Sequence, residues 1–281
     1  MHLKAEVQNN YTQNFFHSDG VELTRIIAVS SPKGGVGKTT IASNLAIALS
    51  EFGKKVIAID CNFSTPYLSY YFSDEDVDVT INDVLLGRNE ITEALYHQNG
   101  VMFIPASTEL EDLINLDVVK LKKNIRKLVN PEMIDFIILD TAPGLGREAL
   151  AAMEAADEIL FVANPLPPMI ADIMRSYDVV KELGEKKVGL ILNMVRKNKF
   201  EFSQREIARI TKLPIIGSVT FDTNIMNSIA VRKPLMKYKP HSKSALNYTE
   251  IAANLLGIKY KKTAAKQLFV LIESLRSKIN F

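Results

Sequence analysis

The sequence predicts an α/β protein with three layers, in which a mostly parallel, twisted sheet carries helices on both faces. Short apolar runs of strand length alternate with segments whose apolar residues recur at helical spacing, as is typical of a parallel sheet. The first run leads into a turn with three closely spaced glycines, and several later runs end in a carboxylate or an amide. With 281 residues, 47% of them hydrophobic, the chain can bury one large core.

The first apolar run, Ile26–Val29, precedes the sequence SSPKGGVGKTT at positions 30–40. A helical pattern then extends from Ile41 to Leu49 and closes at Gly53. A buried strand, a glycine-rich turn and a helix N-terminus form the context that a phosphate-binding loop requires. A glycine-rich turn that binds nothing is the alternative.

The residues of this loop suit a triphosphate. Its glycines let the backbone curl and turn N–H groups inward, and the following helix adds its positive dipole end. Lys38 would reach the β- and γ-phosphates, and the Thr39 hydroxyl would bind Mg²⁺. The predicted nucleotide-binding residues of the loop are Gly34, Gly35, Val36, Gly37, Lys38, Thr39 and Thr40.

The loop departs from the general pattern, because Pro32 stands where a glycine is usual and Lys33 precedes Gly34 and Gly35. In this the sequence, with K-G-G-V-G-K-T at positions 33–39, resembles the deviant-Walker family of MinD and ParA ATPases, whose signature is K-G-G-x-x-K-[ST]. The resemblance implies binding of ATP and Mg²⁺, slow hydrolysis of ATP, and an ATP-dependent homodimer. It also implies that Lys33 crosses the dimer interface to the partner's phosphates, whereas Lys38 acts within its own subunit.

A second strand, Lys55–Asp60, ends in a carboxylate. Ligands bind at the carboxyl ends of strands in open α/β sheets. The family resemblance implies that Asp60 orients or activates the attacking water, which makes it the third predicted catalytic residue beside Lys33 and Lys38. A strand-end aspartate that only caps the backbone is the alternative.

The third and fourth strands are predicted over Val101–Ala106 and Ile134–Asp140, with an amphipathic helix over residues 110–121 between them. Asp140 ends its strand as a Walker B aspartate does, and it would hold Mg²⁺ through the water shell of the ion. Gly144 follows in a loop suited to switching. A buried strand ending in an aspartate without that role is the alternative.

Three further strands are predicted over Glu158–Ala163, Lys187–Asn193 and Pro214–Asp222. Helices are predicted over residues 169–183 and 244–256. The family resemblance implies a further helix over residues 225–231. Asn193 offers a donor and an acceptor that suit adenine, a role that the resemblance also implies, with a loop cap as the alternative. The resemblance places Asp222 near the base, but Thr220 and Phe221 depart from the family's proline-acidic pattern there.

The chain divides into a flexible polar leader over residues 1–22, a P-loop ATPase domain over 23–258 and a basic amphipathic helix over 259–281. The last segment aligns Leu268, Leu271, Ile272, Leu275 and Ile279 on one helical face. It also carries more lysines and arginines than acids, so it could lie on an anionic membrane surface. A helix docked on the domain is the alternative.

Composition narrows the class of function. The net charge of +2 gives no strong attraction to nucleic acid, and the single cysteine, Cys61, excludes disulfides and cysteine-held clusters within one chain. No apolar run reaches the roughly 20 residues that span a bilayer. Together with these limits, the family resemblance implies a cytoplasmic MinD-like ATPase, peripheral on the inner face of the cell membrane, that positions a division site or polar structure with the help of an activating protein. A ParA-like DNA-partition ATPase and a flagellar-number regulator are the alternatives.

Overall fold

The computed structural model describes residues 23–72, 77–130 and 132–260, and the statements below concern these residues. The predicted leader over 1–22 and all but the first two residues of the predicted C-terminal helix lie outside them. The described part forms an eight-stranded sheet with helices packed on it, which confirms the predicted fold class.

One sheet contains all eight strands, in the order β3-β4-β2-β5-β1-β6-β7-β8. Neighbouring strands run parallel except for β3 and β4, which pair antiparallel at one edge. The strands are β1 (Arg25–Ser30), β2 (Val56–Cys61), β3 (Tyr96–Gln98), β4 (Val101–Ile104), β5 (Phe136–Thr141), β6 (Glu158–Ala163), β7 (Lys187–Val195) and β8 (Ile215–Thr220).

The α-helices are α1 (Lys38–Glu51), α2 (Ser69–Phe72), α3 (Ile81–Leu86), α4 (Leu121–Arg126), α5 (Arg147–Ala155), α6 (Pro167–Glu182), α7 (Gln204–Thr211), α8 (Thr223–Ala230), α9 (Leu235–Tyr238) and α10 (Lys243–Leu255). Short 3₁₀ helices span Ile91–Ala94, Leu110–Leu113 and Val118–Lys120.

The central strands β2, β5 and β6 are buried at every position. Such strands need apolar residues on both faces, because helices cover both sides of a parallel sheet. Their register sets the carboxylates that end two of them side by side, with Asp60 of β2 opposite Asp140 of β5. The fold therefore concentrates polar side chains at the carboxyl edge of an otherwise apolar sheet.

The predicted helix over residues 110–121 is wrong. Two 3₁₀ turns occupy this segment, and α4 begins only at Leu121. Asn115 has a φ of 64°, which a right-handed helix cannot contain, and the Asp117 side chain accepts a hydrogen bond from the Val119 N–H to start a new turn. Leu110 and Val119 are 78% and 74% exposed, so the helical spacing of their apolar side chains does not correspond to a buried face.

Candidate nucleotide-binding site

A cavity of about 620 Å³ lies at the carboxyl edge of the sheet, between the β1–α1 loop, the segment after β2 and the start of α8. All of the predicted nucleotide-binding residues except Val36 line it. The predicted residues Lys33, Asp60 and Asp140 are not among its lining residues. The structure thus brings the β1–α1 loop together with Asn193 and Asp222, which follow it by more than 150 residues in sequence.

The β1–α1 loop leaves a helix N-terminus open to the cavity. Gly37 precedes α1 with a φ of 90°, and no side chain caps the first N–H groups of the helix. A Cβ atom at Gly37 would lie 2.4 Å from Asn193 Nδ2, so only glycine fits this approach. Uncapped N–H groups at a helix N-terminus favour an anion, and the residues present therefore suit a phosphate.

Lys38 is the cation inside the cavity. It is 8% exposed, and its Nζ atom lies 3.5 Å from Ser31 Oγ. Burial lowers the pKa of the Lys38 ammonium, while the nearby charge of Asp140 acts in the opposite direction. A buried ammonium with so little compensation is stabilised by any anion that reaches it.

Asp140 is a buried carboxylate whose two oxygens have no hydrogen-bond partner. Burial, and next the charge of Asp60, raise its pKa to about 8, although Thr39 and Lys38 lie near enough to oppose this. Such oxygens suit the water shell of a divalent cation, since Mg²⁺ retains several waters and takes only one or two carboxylates. In the ranges that the structure describes, no three His, Cys, Asp or Glu side chains meet to bind a metal directly.

Asp60 anchors the segment that follows β2. Its carboxylate accepts hydrogen bonds from the backbone N–H groups of Asn62, Tyr67 and Leu68, at 2.9–3.0 Å. It is fully buried, and burial raises its pKa despite these three donors. In this conformation Asp60 therefore holds a loop, and the residues of this loop that line the cavity are Asn62, Thr65 and Tyr67.

Lys33 extends from the loop away from its own cavity. Its side chain is 55% exposed, and its Nζ atom lies 2.5 Å from Asp172 Oδ2 in the second turn of α6. Sequence reasoning missed Asp172, because a single acid in a helix carries no motif. The lysine and the carboxylate form an ion pair at the rim of the site.

Asn193 and Asp222 line the cavity from the segments at the ends of β7 and β8. Asn193 Nδ2 donates to the carbonyl oxygen of Val36 at 2.7 Å, while its Oδ1 is buried without a partner. Oδ1 is therefore an acceptor available to an amino group, as adenine provides. Asp222 caps α8 by accepting hydrogen bonds from the backbone N–H and side-chain amide of Asn224.

An apolar and aromatic wall completes the cavity, and sequence reasoning did not assign it. It is formed by Tyr67, Tyr70, Tyr71, Met194, Phe221 and Met226. Tyr71 is fixed to the start of α1 by a 2.9 Å hydrogen bond between its hydroxyl and that of Thr40. Apart from Met194 near the end of β7, these residues lie in loops and short helices where no periodic pattern distinguishes them, and only Phe221 was marked by its departure from the family pattern.

Replacing Asp140 with asparagine is expected to stabilise the nucleotide-free protein at pH 8. The folded-state pKa lies above the ordinary 3.8, so the folded protein keeps a proton that the unfolded chain loses, and stability falls as the pH rises from about 4 to about 8. Asp140→Asn removes this loss, which raises the thermal midpoint by about 2–4 °C for each 1 kcal/mol recovered. Calorimetry at pH 8 and at pH 5 checks the prediction.

The measurement at pH 5 is the control, because the Asp140 carboxyl group of the wild-type protein is then protonated and resembles the asparagine amide. A midpoint that Asp140→Asn lowers equally at both pH values would contradict the prediction. It would show that the carboxylate is stabilised by contacts rather than strained by burial.

Comparison with known proteins places the chain among nucleotide-binding proteins. The family profile described as "ParA: NUBPL iron-transfer P-loop NTPase" matches residues 22–256. An ATP-binding protein of Methanocaldococcus jannaschii is 36% identical over 242 residues, which cover 86% of this chain and 91% of the relative. The septum site-determining protein MinD of Synechocystis is 30% identical over 244 residues, which cover 84% and 90% of the two chains.

Comparison with solved structures also finds similarity to a nucleotide-binding protein. The septum site-determining protein MinD from Pyrococcus horikoshii, complexed with Mg-ADP, matches with a TM-score of 0.78 and 32% identity. The match covers 83% of this chain and 96% of that one. The family profile thus matches nearly the whole of the described domain.

Proposed function

The chain belongs to the MinD/ParA family of P-loop NTPases, and from this we propose that it is an ATP hydrolase that dimerises when it binds ATP. We propose further that the dimer associates reversibly with a membrane surface and positions a cellular structure there. The observation that carries this proposal is Lys33, an exposed loop lysine at the rim of the cavity that does not line its own site.

The cavity residues divide between the parts of an ATP molecule. The N–H groups at the start of α1 and the Lys38 ammonium would bind the β- and γ-phosphates, and Asn193 Oδ1 would accept from the adenine amino group. Thr39 and Asp140 would hold Mg²⁺, Asp140 through water. When bound, Mg²⁺ draws charge from the phosphate oxygens.

Hydrolysis needs an oriented water at the γ-phosphate, and Asp60 is the proposed residue for this task. Its oxygens are engaged by three backbone N–H groups, so the segment over residues 62–68 must move before Asp60 can face a water molecule. Because this movement must come first, we expect the protein alone to hydrolyse ATP slowly. A partner protein that binds this segment would accelerate it.

Dimerisation would exchange one partner of Lys33 for another. Its ion pair with Asp172 is exposed and therefore contributes only about 0–1 kcal/mol. Contacts with the phosphates of an ATP bound to the other subunit are charge-assisted and largely shielded from water, and so are stronger. ATP would thus be required for Lys33 to leave Asp172.

The proposal for the membrane rests on the sequence after Tyr260. The Leu255 carbonyl oxygen accepts a hydrogen bond from Arg25 at the start of β1, so the chain leaves α10 at the amino edge of the sheet, opposite the cavity. The sequence beyond is basic and amphipathic. One such segment binds lipid weakly, and pairing two in a dimer strengthens the attachment. No helix among the described residues is long and apolar enough to cross a bilayer.

Cluster carriage, which the description of the family profile raises, fits this chain poorly. Cys61 is its single cysteine, and the side chain is buried in β2 beside Asp60. Burial raises the pKa of its thiol well above the ordinary value, so it is a poor thiolate ligand.

Light scattering and sedimentation with vesicles test the proposal together. With ATP, the wild-type chain is expected to form dimers and to sediment with phosphatidylcholine–phosphatidylglycerol vesicles, whereas with ADP it stays monomeric in the supernatant. Lys33→Ala should bind ATP but remain monomeric and unsedimented. A chain shortened to residues 1–258 should dimerise with ATP without sedimenting.

Lys123→Ala, which removes another exposed lysine, is the matched control and should behave as wild type. Sedimentation that ignores the nucleotide or the tail would refute the membrane proposal. If Lys33→Ala formed dimers at the same ATP concentrations as the wild-type chain, the role of Lys33 across the interface would be refuted.

A further inference from the structure

Phe221 and Arg196 form a stacked pair at the mouth of the cavity. Phe221 follows β8, lines the cavity and is 43% exposed. The Arg196 guanidinium carbon lies 3.7 Å from the centroid of its ring. The Phe221 N–H also donates to the carbonyl oxygen of Val195 at 3.0 Å, which joins the end of β7 to the segment after β8.

Glu201 fixes the backbone that carries Arg196. The Glu201 carboxylate accepts hydrogen bonds from the backbone N–H groups of Arg196 and Lys197, at 2.7–3.1 Å. These charge-assisted bonds hold the turn in which Lys197 has a φ of 59°. The turn therefore holds the Arg196 backbone beside Phe221, and the guanidinium packs on the ring.

The position of the ring in the cavity indicates what it binds. Phe221 is flanked in sequence by Thr220 and Asp222, which also line the cavity, and Asn193 supplies the partnerless acceptor Oδ1 at the same end. A heterocycle recognised at its edge by Asn193 would present its face to the apolar wall. Aromatic side chains bind nucleobases by such stacking.

We propose that Phe221, positioned by Arg196, is the stacking platform for the purine base of the nucleotide. The inference rests on the proposed function and deepens it, since it assigns recognition of the base to a residue at which this chain departs from the family pattern. Arg196 is a positioning residue, which acts on the base only through the ring.

Phe200 provides a matched control on the same segment. It is 71% exposed and has the Lys199 ammonium 5.1 Å from its ring centroid, but it is not among the residues that line the cavity. Phe200→Ala therefore removes an aromatic side chain that is paired with a cation, without changing the wall of the site.

Calorimetric titration of the full chain with Mg-ATP and with Mg-tripolyphosphate, which lacks a base, tests the inference. Phe221→Ala should lower the affinity for Mg-ATP by about fivefold to a hundredfold, the range that one stacked base contributes. The affinity for Mg-tripolyphosphate should stay within about twofold of wild type. Phe200→Ala should change neither. Arg196→Ala should weaken Mg-ATP less than Phe221→Ala, and should have no effect in the Phe221→Ala background.

Fluorescence supplies a second readout, because the chain contains no tryptophan. In the Phe221→Trp variant the emission should change with Mg-ATP and Mg-ADP but not with Mg-tripolyphosphate. Mg-ATP affinity of Phe221→Ala within twofold of wild type would overturn the inference, and so would equal weakening of both ligands. If the wild-type chain bound neither ligand, the proposed function itself would fail.

Discussion

Lys38→Ala is expected to lose ATP binding, with an affinity lower by about a hundredfold or more. Truncating one partner of a buried charge pair costs about 2–5 kcal/mol, and Lys38 is the cation inside the cavity. Without it, the phosphates would meet the Asp140 carboxylate with less opposing charge. Calorimetric titration with Mg-ATP measures the effect.

Lys33→Ala is the matched control, because Lys33 is the second lysine of the loop and pairs with Asp172 instead of lining the cavity. This variant should bind Mg-ATP with an affinity within a few fold of wild type. Since burial already lowers the pKa of Lys38, its removal should not destabilise the nucleotide-free fold. ATP affinity within fivefold of wild type in Lys38→Ala would remove this lysine from the site.

Asp60→Ala is expected to abolish turnover while ATP binding persists, which leaves an ATP-bound dimer that does not dissociate. A positioned base contributes about 10²–10⁴-fold to a rate, so phosphate release should fall by at least about a hundredfold. Phosphate release under saturating ATP, together with light scattering over time, measures both effects.

The structure adds a control, because Asp60 also anchors the segment over residues 62–68. Asp60→Asn keeps an oxygen that accepts from backbone N–H groups but cannot take a proton. If Asp60 acts on the water, Asp60→Asn should be as slow as Asp60→Ala. Wild-type turnover in Asp60→Asn would show that the residue serves only to hold the loop.

The parts of the site that could be predicted are those that short stretches of sequence encode. The strand, the three glycines and the helix start lie within residues 25–51, and their order alone predicts a phosphate-binding loop. Asp60 and Asp140 were each predicted at the end of a strand, and β2 and β5, being parallel neighbours, place them opposite each other at one carboxyl edge. Asn193 and Asp222 required the family resemblance as well.

Several features could not be predicted, because they depend on contacts between distant segments. The Lys33–Asp172 pair needs α6 to pass beside the β1–α1 loop. The apolar spacing over residues 110–121 indicated a helix, whereas Asn115 and Asp117 break it locally and expose Leu110. The three-residue strand β3 is too short to leave a pattern.

The sequence by itself determined the sheet, the loop chemistry and the family, since these follow from residue periods and a motif within short stretches of chain. Tertiary structure alone decided that Asp60 holds a loop, that Lys33 pairs with Asp172 and that Phe221 lines the cavity. The physical reason is that side-chain direction is set by the partners that packing brings near, such as Val36 for Asn193 across 157 residues of sequence.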